Sequence, residues 1–551
     1  MPPVRTLSFL AVALFACTLA ARELQLPKPT EKWIGLQADE FRIVSSAPPA
    51  ATVEIARDLL RMRAAIAQVT SLKPRSAKPT RVYIFPNERS FAVYRDAVLQ
   101  REKPSITGVF SSADPGQFIL LPARTEGGVD RIVFHEMTHQ LVQNTATVPL
   151  WLDEGIAEYY STFRADDGAV LIGRPIAEHV KWLRTQKLIP LRELFAVTTS
   201  SPEYNEEARS GVFYAQSWAL VHYLMTDTGR RAKLGQFLTL LAAGRKLDDA
   251  FTAAFSMQFA DLEKALRDYV RGVSFKYTSY AVGEIAINEP PQPVALPHDV
   301  VLQQLGHLLA YTGPANAPLA ERFLKEAVAA NPRNGAAYAD LGRVYDSIGR
   351  RAEADAAYAQ VLPAGGRDAE RFVIAARGLA SRQSNKDLAR ARTLFARATE
   401  LDPQSAMAWS GLGATYIGNQ PNRAEGIAAL EKSLALAPGN EEATFYLAQL
   451  YANEGRHDEA RTLARPLAAR TKDASIKSFL TMMLTELDRI DGANRITTAV
   501  NEAISKANAR RYEEALAILD AVIPTIDDEE MLKHTRDFRT EIAAQLKAKK
   551  K

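Results

Sequence analysis

Cysteine is almost absent from this sequence of 551 residues, in which Cys17 is the only one. Disulfide frameworks and cysteine-ligated metal sites are therefore excluded from the body of the chain. Net charge is also small, with 68 Lys and Arg against 64 Asp and Glu, so no nucleic-acid partner is expected. The composition, 47% hydrophobic and 24% charged, is that of a folded protein long enough for two or more domains.

Long hydrophobic runs are missing from the sequence apart from one near the N-terminus. Met1–Arg5 carries one positive charge, Leu7–Leu19 is mainly apolar, and the small residues Ala20 and Ala21 follow. The run is shorter than the roughly 20 residues that a membrane span needs, and this order is typical of a secretory signal peptide. We therefore predict a signal peptide at residues 1–21, export to the periplasm or the extracellular space, and no transmembrane helix after cleavage.

Cys17 offers a second interpretation of the same segment. Residues 14–17, Leu-Phe-Ala-Cys, resemble a lipoprotein signal in which the cysteine carries the lipid, although Phe15 is bulky for that motif. The alternatives are thus a soluble exported protein and an exported lipoprotein with a lipid anchor at Cys17.

The first half of the chain has the mixed periodicity of an α+β domain, which we place at residues 33–275. β-Rich segments predict strands at 41–44 and 82–85 and a hairpin formed by 109–110 and 118–121. Amphipathic patterns predict helices at 53–69, 90–99, 130–144, 152–163, 210–226, 234–243 and 259–270. Residues 276–298 contain Glu-Pro-Pro-Gln-Pro and predict a stiff linker between two separable halves.

Beyond this linker the sequence repeats itself. Small residues return at intervals of 34 to 37 positions, at Ala320, Ala354, Ala391, Gly426 and Ala460. This spacing, with recurring tyrosines and repeat-ending prolines, resembles the tetratricopeptide repeat family, whose unit is a helix–turn–helix pair. The resemblance implies an all-α tetratricopeptide-repeat solenoid at 299–475, with a concave groove for a protein partner. C-terminal helices with a possible divergent repeat and a basic tail are predicted at 476–551.

The chemistry lies in His-Glu-x-x-His, which this chain has at His135, Glu136 and His139. Histidines four positions apart on a helix project from one face, so both imidazoles can bind a single zinc ion. The intervening glutamate points toward the open position of the metal and can take a proton from zinc-bound water. The alternative is a buried helix whose two histidines merely bond to neighbouring groups.

A second motif lies just downstream, where Trp151–Gly155 spells Trp-Leu-Asp-Glu-Gly. Here the chain resembles the gluzincins, and most closely the peptidase-MA-like group of zinc metallopeptidases. The resemblance spans about residues 33–275 and implies a gluzincin-like fold, one Zn²⁺ ion, and Glu154 as the third metal ligand. Glu158 is the rival ligand, because it lies 19 residues after His139, as in well-known gluzincins, whereas Glu154 lies 15 after it. The flanking motif favours Glu154 and leaves Glu158 as a partner of a metal-bound histidine.

Three further roles are weaker predictions. Tyr214 resembles the aromatic residue with which the family stabilises the oxyanion, with Tyr204 as the alternative and simple packing as the other interpretation of both. Strand 118–121 could be an edge strand that pairs with an extended peptide, or a plain core strand. His222 is better explained as a core histidine than as a ligand.

We therefore predict an exported zinc metallopeptidase that hydrolyses peptide bonds, with Glu136 as general base and the repeats recruiting a protein partner or substrate. One alternative is a catalytically inactive peptidase-like module that binds or assembles partners through its repeats. Others are a zinc hydrolase acting on a different amide, such as a cell-wall peptide, and an assembly factor that cleaves only misassembled clients.

Overall fold

The structure is a computed structural model, and the part of the chain that it describes is given by the following ranges. They are residues 24–70, 80–100, 108–112, 116–123, 131–143, 149–166, 168–198, 201–205, 207–242, 245–272, 274–281, 285–364, 366, 368–418, 420–471 and 473–549. The predicted signal peptide and Cys17 lie outside these residues. Contacts divide the chain into two compact units, one ending at Gly378 and the other beginning at Leu379.

A six-stranded mixed sheet forms the centre of the first unit. In chain order its strands are β1 (Ile34–Ala38), β2 (Phe41–Ser45), β3 (Thr80–Phe85), β4 (Val109–Ser112), β5 (Gln117–Pro122) and β9 (Val294–Ala295). Their order across the sheet is β4-β5-β3-β2-β1-β9. β3 is parallel to β2 and β5, while β4 pairs antiparallel with β5 as the predicted hairpin. β5 therefore lies inside the sheet, so the core-strand interpretation of 118–121 is confirmed and the edge-strand interpretation is wrong.

Helices pack on the sheet and extend the domain beyond it. They are α1 (Pro49–Thr70), α2 (Glu88–Leu99), α3 (Arg131–Gln143), α4 (Leu150–Ser161), α5 (Ala177–Thr185), α6 (Leu191–Ala196), α7 (Pro202–Asn205), α8 (Glu207–Met225), α9 (Thr228–Ala242), α10 (Leu247–Phe255) and α11 (Phe259–Arg271). One sheet face contributes Val82, Ile84, Ile119 and Leu121 to a core shared with α1, α3, α4 and α8. The sheet thus supports the helices that carry the predicted motifs.

The segment predicted as a linker contributes to both sheets of the first unit. β9 pairs antiparallel with β1 at the edge of the large sheet. β8 (Thr278–Ala281) joins a small sheet with β6 (Arg164–Asp166) and β7 (Ala169–Ile172). Residues on both sides of this segment belong to one compact unit that continues to Gly378.

The opposite face of the large sheet is covered by the first helical repeats. These are α12 (His298–Tyr311), α13 (Ala317–Ala330), α14 (Gly335–Ser347), α15 (Arg351–Ala359) and α16 (Glu370–Ala380). The Phe118 ring lies 5.7 Å from that of His307, and the Tyr83 hydroxyl donates to the Gln304 carbonyl over 2.8 Å. Because β3 is covered on both faces, all six of its residues are buried.

The second unit consists of helices throughout its described residues. They are α17 (Asn385–Leu401), α18 (Ala406–Ala414), α19 (Arg423–Leu436), α20 (Glu441–Asn453), α21 (His457–Arg470), α22 (Ala474–Asn508), α23 (Tyr512–Val522) and α24 (Glu529–Lys549). The recurring small residues are buried between paired helices, for example Ala391, Ala460 and Gly426, where an added Cβ would lie 2.6 Å from Tyr416. Among the described residues, no helix combines the length and apolar character needed to span a bilayer.

Candidate metal centre

Two neighbouring helices bring the predicted ligands together. α3 presents His135 and His139 one turn apart, with their Nε2 atoms 3.1 Å from each other. α4 packs beside α3 and places Glu154 Oε2 3.4 Å from His135 Nε2 and 3.2 Å from His139 Nε2. His135, His139 and Glu154 are the group of side chains, among those described, whose donor atoms converge as metal ligands do.

This arrangement fits a zinc ion. Two ligand atoms at about 2.0–2.1 Å from a tetrahedral metal lie roughly 3.3 Å apart, close to the three separations observed between His135, His139 and Glu154. Glu154 Oε2 is also buried without a hydrogen-bond partner, a costly arrangement that a cation would relieve. Two imidazoles and one carboxylate are the donor set of many catalytic zinc sites, which keep a fourth position open.

Acidic side chains stand behind both histidines. Glu158 Oε1 lies 3.4 Å from His135 Nδ1, and Asp153 Oδ1 lies 3.0 Å from His139 Nδ1. Each acid faces the ring nitrogen that is turned away from the ligand cluster, which favours a proton on Nδ1 and a free lone pair on Nε2. Glu158 therefore lies one layer behind the ligands, outside the group formed by His135, His139 and Glu154.

The electrostatics of the cluster favour a cation between its acids. Burial raises the pKa of Glu154, but the adjacent imidazoles of His135 and His139 lower it to about 2. Burial lowers the pKa of His139, whereas the adjacent carboxylates of Asp153 and Glu154 raise it to about 10. A positive charge among these side chains is thus strongly stabilised, whether a proton or a metal supplies it.

Two tyrosines approach the third ligand from α7 and α8. The Tyr204 hydroxyl donates to Glu154 Oε1 over 3.2 Å, so it holds the oxygen that faces away from the histidines. Tyr214 lies beside Tyr204, with their ring centroids 6.1 Å apart. Burial, followed by the charge of Glu154, raises the pKa of both tyrosines, which therefore remain hydrogen-bond donors near neutral pH. Of the two tyrosines considered as oxyanion donors, Tyr204 is the one that contacts the predicted ligand Glu154.

Two other predicted residues have distinct surroundings. Glu136 is half-buried on α3, next to His135. His222 is fully buried on α8, where Nδ1 lies 2.6 Å from the Tyr269 hydroxyl and Nε2 lies 2.7 Å from the Gly173 carbonyl. Both nitrogens of His222 are satisfied, and burial lowers its pKa to about 4, as befits a core histidine.

Sequence reasoning missed three residues around the ligands. Asp153 carried a signal, since it lies inside the Trp-Leu-Asp-Glu-Gly motif, and Arg131 lies one turn before His135 on the same helix. His179 carried no such signal, because it lies 40 residues after His139 and outside both motifs. In the structure it lies 3.2 Å from Glu158 Oε2.

Comparison with known families agrees with this architecture. Residues 62–272 match the family described as the Peptidase MA superfamily. Residues 316–373 and 419–483 match the tetratricopeptide repeat family. The chain thus carries a Peptidase MA superfamily domain followed by tetratricopeptide repeats, as predicted. It is a peptidase-like protein with a region suited to protein–protein interaction.

Similar individual proteins cover only parts of the molecule. The peroxisomal targeting signal receptors of Komagataella phaffii and Komagataella pastoris are each 35% identical over 151 residues, 27% of this chain and 25% of theirs. This chain therefore spans about a quarter of the length of those relatives. Among solved structures, pilF of Pseudomonas aeruginosa is 20% identical with a TM-score of 0.30, covering 38% of this chain and 91% of its own. YrrB, a TPR protein with an unusual peptide-binding site, is 18% identical with a TM-score of 0.28, covering 33% and 92%.

Proposed function

We propose that this protein is an active zinc metallopeptidase with a gluzincin-like α+β catalytic domain. One Zn²⁺ ion would be held by His135, His139 and Glu154. The observation that carries the proposal is the convergence of these three donor atoms, with Glu154 Oε2 buried and otherwise unpartnered. Removing polar groups from water in this way is costly unless a ligand compensates for it.

Glu136 is the general base in this proposal. A bound zinc ion acts as a Lewis acid and makes a water molecule acidic near neutral pH. Glu136 accepts a proton from the attacking water while the water oxygen bonds to the peptide carbonyl carbon. It then returns the proton to the leaving amine as the carbon–nitrogen bond breaks. One carboxylate thus serves both proton transfers.

Tyr214 is the proposed donor to the oxyanion that forms on the carbonyl oxygen. It remains protonated, and its ring packs beside that of Tyr204, which keeps its own hydrogen bond to Glu154. A hydrogen bond from a neutral hydroxyl to a developing anion strengthens as the charge forms in the transition state. Tyr204 then retains the role of orienting Glu154.

The peptide would bind along β4 rather than along β5. β4 is the terminal strand of the large sheet and contacts α3. One edge of β4 pairs with β5, and the other edge faces outward. The outward edge can add an extended peptide as a further strand through backbone hydrogen bonds. Such pairing recognises backbone rather than side chains, which suits hydrolysis of peptide bonds.

The proposal extends to location and recruitment. The signal-like segment at residues 1–21 supports export to the periplasm or the extracellular space, as a soluble protein or as a lipoprotein anchored at Cys17. The tetratricopeptide repeats support binding of a protein partner or substrate by the array. Catalysis and recruitment would then lie on one chain.

The proposal is tested by metal analysis and an unbiased peptide library, using the full exported chain and its Glu136→Gln variant. The substitution keeps the shape of the side chain but removes the proton acceptor. We expect about one zinc per chain in both proteins and cleavage that falls about 10²–10⁴-fold in the variant. Zinc binding with no cleavage by the wild type would favour the inactive binding module. A wild type without zinc would overturn the proposed metal centre itself.

A further inference from the structure

His135 is oriented through a chain of contacts that ends on a helix outside both sequence motifs. Its Nδ1 faces Glu158 Oε1 at 3.4 Å. The other oxygen of this carboxylate, Oε2, lies 2.7 Å from a guanidinium nitrogen of Arg131 and 3.2 Å from Nε2 of His179. Glu158 on α4 is therefore held between α3 and α5.

The two partners of Oε2 differ in their exposure to solvent. The Arg131 side chain is 46% exposed, whereas that of His179 is 10% exposed and that of Glu158 is 9%. Water screens exposed ion pairs, which contribute little, whereas a contact between buried polar groups is screened much less. His179 Nε2 is buried without a hydrogen-bond partner, so the Glu158 carboxylate 3.2 Å away is the group that can offset its burial.

Packing fixes the position of His179. Its ring centroid lies 5.9 Å from that of Trp218, a fully buried residue of α8. α5 packs along α8, so the imidazole has little freedom to turn away from Glu158. A carboxylate held on Oε2 by a fixed partner presents Oε1 to His135 in one orientation.

We propose that His179 is a positioning residue of the metal centre, which acts through Glu158 to orient His135. The inference rests on the proposed zinc site at His135, His139 and Glu154. Without His179, the Glu158 carboxylate can rotate toward the exposed Arg131 and leave His135 Nδ1 without a fixed acceptor. The imidazole of His135 then loses the partner that fixes its tautomer and ring angle.

His139 provides a contrast within the same site. Its acidic partner Asp153 precedes Glu154 directly on α4, so the helix that carries the third ligand also carries that partner. Glu158 lies one turn further along α4 and has its second oxygen held from α5. The support of His135 therefore depends on α5.

The test measures zinc affinity of the full chain by competition with a chelator of known affinity, alongside the free energy of unfolding. We expect His179→Ala to weaken zinc binding about 10-fold, at the lower end of the effect of partners that orient metal ligands. His179→Gln keeps a nitrogen donor near the position of Nε2 and should restore most of the affinity. The matched control is His222→Gln, a buried histidine that also packs against Trp218 but whose ring nitrogens face Tyr269 and Gly173.

A second measurement keeps the inference testable if His179→Ala destabilises the protein. In the Glu158→Ala background, His179→Ala should cost no further zinc affinity, because the carboxylate through which it acts is gone. Additive losses, or equal losses in His179→Ala and His222→Gln, would overturn the positioning role. A wild type that binds no zinc would instead refute the proposed metal centre, so the two failures are distinct.

Discussion

Each ligand of the candidate metal centre is held by a different kind of neighbour. Nδ1 of His135 faces Glu158, and Nδ1 of His139 faces Asp153. Glu154 accepts a hydrogen bond from Tyr204 on Oε1, the oxygen turned away from the histidines. Three separate neighbours thus hold the three candidate donor atoms in place. A preorganised site of this kind loses little freedom on binding a metal.

The third ligand can be decided by comparing Glu154→Ala with Glu158→Ala. Glu154 Oε2 faces both imidazoles, so its loss leaves only two ligands and should empty the site. Glu158 contacts His135 from behind, so its loss should weaken zinc binding by about 10–100-fold. Metal content after dialysis and chelator competition distinguish these results. If Glu158→Ala empties the site while Glu154→Ala keeps its zinc, the third ligand is Glu158, as its spacing of 19 residues from His139 indicates.

The site could be predicted from the sequence only where its residues are close along the chain. His135, Glu136 and His139 share one helix, and Glu154 follows on the next, so helix periodicity and motif spacing suffice. His179 reaches the cluster only because α5 packs against α8. A lone histidine carries no local pattern that reveals such a tertiary contact.

At the scale of elements, a close helix contact positions the third ligand. α4 crosses α8 at Gly155, where an added Cβ would lie 2.5 Å from the Ser217 carbonyl oxygen and 2.6 Å from Val221. The obstacle is partly backbone, which cannot move aside as a flexible side chain can. The glycine after Glu154 therefore allows the helix that carries this ligand to approach α8.

Gly155→Ala tests this contact. We expect a loss of about 1–3 kcal/mol in the free energy of unfolding, typical of overpacking, together with weaker zinc binding as α4 shifts. Gly235→Ala is the control, since Gly235 lies in α9 with open space around it and alanine favours helices. Chemical denaturation and chelator competition report the two effects. An unchanged zinc affinity in Gly155→Ala would show that the contact between α4 and α8 at Gly155 does not determine the position of Glu154.

Long helices were easier to predict from the sequence than short strands. The predicted helices at 53–69, 130–144 and 152–163 are confirmed with small differences at their ends. Strands β1, β6, β7, β8 and β9 were missed: runs of two to five residues carry little periodicity, and of the strands this short only β2 and β4 were predicted. β9 pairs with β1 some 260 positions away, and no local pattern encodes that pairing.

A buried ion pair joins the sheet to the first repeats. Glu370 at the start of α16 lies 2.6 Å from Arg81 on β3 and also contacts Arg42 on β2. Burial raises the pKa of Glu370, but the charges of Arg81, Arg42 and His307 lower it to about 2. This carboxylate therefore remains charged inside the protein.

Glu370→Gln should destabilise the first unit by about 3–5 kcal/mol near neutral pH, because Arg81 keeps a buried charge without its partner. Since the folded-state pKa of Glu370 lies below its ordinary value of 4.5, its contribution is complete above pH 4.5. That contribution is lost as the pH falls toward 2, so the difference between variant and wild type should shrink over this range.

Denaturation followed by tryptophan fluorescence measures the effect in a Trp409→Phe background, because the other four tryptophans precede Gly378. Glu54→Gln is the control, as Glu54 is a half-exposed partner of Arg57 and should change stability little. A difference that stays constant between pH 7 and pH 3 would show that the charge of Glu370 contributes nothing.

At the scale of the whole molecule, the first repeats cover one face of the sheet in the Peptidase MA superfamily domain. Arg81, Tyr83 and Phe118 on the outer sheet face are at most 2% exposed, and their contacts come from α12 and α16. The repeat surface that faces this sheet is therefore unavailable to another protein. Recruitment by the array would fall to the repeats that follow Gly378.

Two truncations test whether these repeats can be removed. A chain ending after Leu296 keeps β9 but loses α12–α16, which exposes Tyr83 and Phe118 and leaves Arg81 without Glu370. Two aromatic side chains contribute about 1.5–3 kcal/mol each, a large share of a typical domain stability of about 5–15 kcal/mol. We therefore expect this chain to aggregate or to bind no zinc.

A chain ending after Ala380 keeps the covering helices and should fold and bind zinc as the full protein does, because its contacts lie within the first compact unit. Size-exclusion chromatography and zinc content compare the two truncations directly. If the shorter chain is also monomeric and zinc-loaded, the segment at 276–298 separates independent halves as its proline-rich sequence predicts, and the buried sheet face is dispensable. If both fail, helices after Ala380 complete the first unit, and catalysis cannot be separated from the rest of the repeat array.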